Sequence, residues 1–141
     1  MGLNISAYVK RHITYDGGET LLPENELIYS GNITHNLNKM AMEAGIYKAV
    51  WRPYELHINF DKGKEDNQDY IYEFEDETTV KAKDVFLIIE NGFRDMKKRP
   101  EHYKKFDSPN GWGLYENFIP FLSEYLDALR KYPEAIIECN R

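Results

Sequence analysis

The sequence predicts one α+β domain: a small, mostly antiparallel sheet with about three helices packed on one face. Strand-like alternation of apolar residues occurs near both ends of the chain, so the N- and C-terminal strands are expected to share the sheet. Two long stretches between them repeat apolar residues at helical spacing. The length of 141 residues suits a single domain, residues 1–141, that can bury a sizeable core.

The first elements are two strands. Apolar residues at every second position predict a half-buried N-terminal strand: Leu3, Ile5, Ala7 and Val9. The Asp-Gly-Gly sequence at 16–18 predicts a turn, and residues 26–30 (ELIYS) are the predicted second strand.

A helix is predicted next, because the apolar spacing changes after residue 33. Thr34 is the expected N-cap, since its hydroxyl can accept a hydrogen bond from a free N–H of the first turn. Gly45 is expected to end the helix in the left-handed conformation, and Pro53 prevents Arg52 from continuing a helix.

A β-hairpin is predicted near 54–77. Apolar residues alternate in 54–60 and again in 69–75, and the residues between them are polar and charged.

Two long helices and a closing strand complete the prediction. The first helix begins near Thr78 or Thr79 and stops before Pro100, and Gly92 within it indicates close packing. The second covers the periodic residues from Leu114 to Tyr132, and the segment 134–140 is the closing strand.

The composition excludes several classes of function. A net charge of −6 argues against general binding to nucleic acid or to an anionic membrane. No apolar run is long enough to span a membrane and no signal peptide is recognisable, so a cytoplasmic protein is expected. One cysteine and four scattered histidines give no metal-site spacing, and no dinucleotide or phosphate-loop motif is present, so no metal or cofactor is predicted.

Three short stretches carry the side chains that could bind a ligand. The first places hydrogen-bond donors at the start of a helix, where the helix dipole favours anions. The second places an aromatic ring that could stack on a ligand next to a guanidinium. In the third, glycines lie on both sides of an indole. In order, the candidate residues are Asn32, Thr34, His35 and Asn36; Trp51 and Arg52; and Asn110, Trp112, Tyr115 and Glu116. Each stretch also has a structural interpretation, as a capping cluster, a core anchor with an ion pair, or a plug between helices.

We hypothesise that six of these side chains converge on one concave surface. All of them lie at element boundaries, where side chains reach solvent from a rigid support. Together they supply a dipole, a positive charge and a stacking surface for an anionic, ring-bearing ligand. The six are Asn32, His35, Asn36, Arg52, Trp112 and Tyr115.

Residues 31–53 and about 81–141 resemble a family of small uncharacterised proteins of bacterial, prophage and phage genomes. The shared motifs are N-I-T-H-N-L, A-G-I-Y, W-R-P, K-A-K-D and N-G-W-G. In that pattern W-R-P runs almost directly into K-A-K-D, so the segment near 54–77 looks like an insertion here. The resemblance implies a phage or prophage setting and no particular activity.

These observations favour a non-enzymatic binding module. Its partner would be a small anionic or nucleotide-like ligand, or a host or defence protein. One alternative is a small hydrolase or transferase with His35 as general base and Glu116 or an Asp as its partner. Another is a structural protein that forms homo-oligomers through its aromatic residues.

Overall fold

The computed structural model describes residues 2–15, 20–56 and 80–140, with the backbone alone for 10–15 and 20–25. These residues form an α+β domain, as predicted, with one antiparallel sheet and helices. The sheet contains β1 (Gly2–Tyr15), β2 (Thr20–Thr34) and β3 (Ile136–Asn140) in the order β2-β1-β3. The first and last strands are therefore neighbours, which confirms the expectation that both ends of the chain share one sheet.

The two faces of the sheet differ in polarity. Leu3, Ile5 and Ala7 of β1 are fully buried against the helices. Asn4, between two of them, is exposed and pairs in register with Asn32 of β2 and with Asn140 of β3. The alternation of apolar and polar residues in β1 therefore corresponds to a sheet with one face on the core and one face in solvent.

The first predicted helix consists of a 3₁₀ turn and a short α-helix, and a second short α-helix lies beyond its predicted end at Gly45. A 3₁₀ turn, His35–Leu37, leads into α1 (Asn38–Glu43), and α2 (Tyr47–Trp51) follows after a break. Gly45 has a φ of +75°, so the predicted left-handed end of α1 is present. The break turns the chain so that Ala49, Val50 and Trp51 of α2 are buried.

The two long helices are α3 (Ala82–Lys98) and α5 (Tyr115–Lys131), with the short α4 (Pro100–Lys104) between them. Helix α3 begins later than predicted because Lys81 still pairs with Ile136 of β3. Its first turn is closed by Asp84, whose carboxylate accepts a hydrogen bond from the backbone N–H of Lys81 at 2.8 Å.

Residues 53–56 turn helically where the sequence predicts the start of a strand. The backbone N–H of Glu55 bonds to the carbonyl of Arg52, and that of Leu56 bonds to the carbonyl of Pro53. The rest of the predicted hairpin, from residue 57 onward, lies outside the described residues.

The described core lies between the sheet and α2, α3 and α5. Trp51, Phe118 and Tyr125 are among its largest fully buried side chains. Burial of large aromatic side chains is the main stabilising contribution in a domain of this size. The core also fixes the ends of these helices, where the candidate site residues lie.

Candidate functional site

The polar cluster at 34–36 caps and begins the 3₁₀ turn His35–Leu37. The Thr34 hydroxyl accepts a hydrogen bond from the backbone N–H of Asn36 at 3.4 Å, so Thr34 is the N-cap, as predicted. His35 Nδ1 accepts a hydrogen bond from Trp51 Nε1 at 3.1 Å. Since an imidazole nitrogen that accepts cannot carry a proton, neutral His35 holds its proton on Nε2. This cluster, which we call the polar turn, is thus tied to the core by a side-chain hydrogen bond.

Trp51 is a core anchor, which is one of the two interpretations that the sequence allows; the other is a stacking surface for a ligand. It is 2% exposed, stacks on Tyr47 with ring centroids 5.5 Å apart, and meets Phe118 edge-on at 6.1 Å. Its indole N–H is satisfied by His35. Trp51 therefore presents no free face for stacking on a ligand.

Arg52 is held within its own segment. Its Nη1 donates to Glu55 Oε2 at 2.7 Å and its Nε donates to the Tyr47 hydroxyl at 3.4 Å. The hydrogen bond to Glu55, followed by that to Tyr47, raises the pKa of Arg52 above its ordinary value. An anion that binds this guanidinium must compete with the Glu55 carboxylate.

Asn32 belongs to the solvent face of the sheet. It is exposed and its side-chain amide donates to the side-chain oxygen Oδ1 of Asn4 across the strand pair. Because side chains alternate between faces, Asn32 and the buried Ile33 point to opposite sides of β2.

A compact loop at 108–113 presents the second tryptophan. The Asn110 side-chain oxygen accepts hydrogen bonds from the Ser108 hydroxyl at 2.6 Å and from the Trp112 backbone N–H at 2.9 Å. The Ser108 N–H donates to the Gly113 carbonyl at 3.0 Å and closes the loop. We call residues 108–113 the Trp112 loop.

Trp112 itself is 69% exposed. The sequence offered a plug between helices as its structural role, and the structure places the indole in solvent. Among the described residues it is the largest side chain of the exposed apolar group, the others being Leu27, Met42, Tyr54 and Leu87. An exposed tryptophan on a hydrogen-bonded loop is typical of a contact surface.

The Trp112 loop packs against the polar turn through Gly113. Gly113 is buried, has a φ of +118°, and a Cβ built on it would lie 2.9 Å from Asn36 Cβ and 3.1 Å from Asn36 C. The backbones of two distant segments thus meet at a position where only glycine fits.

Tyr115 and Glu116 begin α5 beside this loop. The Tyr115 backbone N–H donates to Asp107 Oδ1 at 2.7 Å, and its hydroxyl donates to the Met96 carbonyl at 2.9 Å. The ring lies under Lys104, 5.7 Å from the ammonium nitrogen to the centroid. Tyr115 therefore joins α5 to α3 and α4, while Glu116 is exposed.

The candidates accordingly fall into groups. Asn36 meets the Trp112 loop, and His35 meets Trp51. Asn32 bonds to Asn4 on the sheet face, and Arg52 is held by Glu55 and Tyr47. The convergence of all six side chains on one surface stays a hypothesis. Sequence reasoning missed Ser108 and Asp107 as organising residues. It singled out the glycines on either side of Trp112 as allowing close approach to a ligand or freeing the chain, whereas Gly113 packs on Asn36.

Three features bear on catalysis. The described side-chain contacts of His35 are with Trp51 and include no carboxylate. A histidine–carboxylate contact occurs elsewhere, between His102 Nε2 and Glu43 Oε2 at 2.7 Å, where it links α4 to α1 on the surface. The Cys139 thiol donates to the Val50 carbonyl, and burial raises its pKa to about 12, so it is a poor nucleophile.

Within the described part of the chain, no group of three or more metal-ligating side chains is present. No helix in that part has the length and apolar content needed to cross a membrane. Comparisons with protein-family models, with curated proteins and with solved structures found no match.

Proposed function

We propose that the protein is a non-enzymatic binding module that contacts a partner protein through Trp112. The observation that carries this proposal is the 69% exposure of the indole on a loop closed by hydrogen bonds. An indole combines a large apolar surface that a partner can cover with an N–H that can donate a hydrogen bond to it. Tryptophan is also enriched among the few residues that supply most of the binding energy at protein interfaces.

The structure favours a protein partner over the small anionic or nucleotide-like ligand. The Arg52 guanidinium is engaged with Glu55, and Trp51, which would stack on a base, is buried. The polar turn leads into a helix of only six residues, so the dipole at its start is weak. The family resemblance implies a phage or prophage setting, and in that setting the partner we propose is a host or defence protein.

An affinity-capture comparison tests the proposal. The wild-type chain and Trp112→Ala are immobilised at equal density and exposed to lysate of the cells in which the protein is made. Leu87→Ala is the matched control, since Leu87 is also exposed, at 59%. Leu87 follows Phe86, which contacts Arg130 near the C-terminal end of α5, whereas Trp112 precedes the N-terminal end of that helix.

The proposal predicts a partner that the wild type and Leu87→Ala capture in a fixed ratio and that Trp112→Ala loses. With the purified partner, Trp112→Ala should bind at least about 30-fold more weakly, since truncation of a central interface residue costs about 2 kcal/mol or more. Retention of every captured protein by Trp112→Ala would contradict the proposal. A small bound mass seen by native mass spectrometry and lost in Arg52→Gln would support the small-ligand alternative instead.

A further inference from the structure

We infer that the polar turn positions the Trp112 loop and that Gly113 is the positioning residue of the Trp112 contact surface. The inference rests on the proposed function for its biological meaning, while its geometry stands on its own. One helix cap requires a single polar side chain, and positioning the loop gives a role to the other polar residues at 34–36.

The polar turn is held by three contacts. The Trp51 indole donates to His35 Nδ1, the Thr34 hydroxyl caps Asn36, and the Leu37 side chain is 1% exposed. His35 is therefore held by a core side chain, Asn36 by the cap, and Leu37 by its own burial. A loop packed against Asn36 inherits that fixed position.

Gly113 packs directly against Asn36 of the polar turn. Asn36 lies so close that an added Cβ would be 2.9 Å from its Cβ and 3.3 Å from its carbonyl oxygen. The neighbouring atoms are largely backbone, which cannot move aside as a flexible side chain does. The φ of +118° adds a second restriction, since residues with a Cβ rarely adopt it.

Gly113 is linked to the indole through the chain and through the loop's closing hydrogen bond. Gly113 follows Trp112 directly, and its carbonyl accepts the hydrogen bond from Ser108 that closes the loop. Displacing Gly113 from Asn36 therefore moves the residue that bears the indole. A preformed loop binds more tightly than one that must be ordered on binding.

Gly111 provides a matched control. It has a positive φ of +78° and lies in the same loop, but a Cβ built on it would meet nothing within 4 Å. Gly111→Ala therefore imposes backbone strain without a clash, whereas Gly113→Ala imposes both.

The experiment uses the full chain labelled with 5-fluorotryptophan. The chain has two tryptophans, Trp51 and Trp112, so the ¹⁹F spectrum has two signals, assigned with Trp112→Phe. We expect Gly113→Ala to shift or broaden the Trp112 signal while the Trp51 signal reports an intact core. We expect Gly111→Ala, which strains the backbone without a clash, to move the Trp112 signal less than Gly113→Ala does and to leave the Trp51 signal in place. An unchanged Trp112 signal in Gly113→Ala, or an equal change in Gly111→Ala, would overturn the inference.

Hydrogen exchange of the wild-type chain tests the same inference should Gly113→Ala fail to fold. The amides of Ser108 and Trp112, both hydrogen-bonded within the loop, should exchange at least about tenfold more slowly than in an unfolded chain. Exchange of both at the unfolded rate would overturn it. In the capture assay, Gly113→Ala should retain about tenfold less partner than Gly111→Ala. If the Trp112 signal moves but capture is unchanged, the positioning role stands and the proposed function fails.

Discussion

Asp95 shows how a single surface carboxylate is tuned by its neighbours. Hydrogen bonds from Arg99, and then from Tyr103, lower the pKa of Asp95 from 3.8 to about 2. A carboxyl group whose pKa is lower in the folded state stabilises the fold above its unfolded pKa. That contribution is lost as the pH falls from about 4 towards about 2.

We therefore expect the melting temperature of the wild type to exceed that of Asp95→Asn at pH 5, and the difference to shrink between pH 4 and pH 2. Thermal denaturation of both chains at half-unit intervals of pH measures it. A difference that stays constant across this range would show that Asp95 does not titrate with the lowered pKa.

Tyr125 is a buried residue whose hydroxyl has no hydrogen-bond partner among the described residues. Its ring is fully buried and stacks on Tyr29, with centroids 5.1 Å apart. Removing an unsatisfied buried hydroxyl loses no hydrogen bond, so Tyr125→Phe should leave the free energy of unfolding unchanged or raise it by about 1 kcal/mol.

Tyr103→Phe is the control for Tyr125→Phe, because the Tyr103 hydroxyl donates to Asp95. It should lower the free energy of unfolding by about 1 kcal/mol in the same urea titration. A comparable loss in Tyr125→Phe would mean that its hydroxyl is satisfied in solution.

At the scale of elements, Gly92 fixes how closely α3 approaches the turn after α1. A Cβ at this position would lie 2.2 Å from Ile46 Cγ2 and 2.7 Å from the Ala44 carbonyl oxygen. Alanine is favoured over glycine by about 1 kcal/mol in a free helix, but overpacking costs about 1–3 kcal/mol. Gly92→Ala should therefore destabilise the protein in spite of its better helix propensity.

Asn91→Ala supplies the comparison, since the exposed Asn91 precedes Gly92 in the same helix. It should raise the free energy of unfolding by a few tenths of a kcal/mol in urea titrations. Equal gains from both substitutions would show that the contact with Ile46 and Ala44 relaxes without cost.

The N-cap of the polar turn should make a small contribution. The hydrogen bond from Asn36 N–H to Thr34 is long, at 3.4 Å, and it caps a 3₁₀ turn of three residues. Thr34→Ala should cost about 0.5–1 kcal/mol, at the low end for caps, while Thr34→Ser keeps the hydroxyl and should cost less. Equal denaturation midpoints for the two variants would argue against the cap.

The elements that the sequence predicts well are those whose signal is local. Alternation in β1, helical spacing in α3 and α5, and the left-handed Gly45 all follow from neighbouring residues. The late start of α3 could not be predicted in this way, since it depends on Lys81 pairing with the distant Ile136. The same limit applies to the site: whether a tryptophan is buried, as Trp51 is, or exposed, as Trp112 is, depends on tertiary packing.

At the scale of the whole molecule, residues on both sides of the segment 57–79 form hydrogen bonds with the same residue of β3, Ile137. The Tyr54 hydroxyl donates to the Ile137 carbonyl at 3.1 Å, and the Ile137 N–H donates to the Val80 carbonyl at 2.9 Å. The chain therefore leaves and re-enters the described domain at nearby points. A short connection can therefore join these points. Shortening the loop should change stability little, because the entropy of loop closure depends weakly on loop length.

We expect replacement of residues 58–78 by a short Gly-Ser linker to leave a cooperative fold, because Tyr54 and Val80 keep their contacts with Ile137. Differential scanning calorimetry should show one transition, and the ¹⁹F signal of Trp51 should keep its wild-type position. A linker of twice the length is the control, and it should change stability by only about 0.6 kcal/mol. Loss of the cooperative transition in both chains would show that the segment completes the core and is not a dispensable insertion.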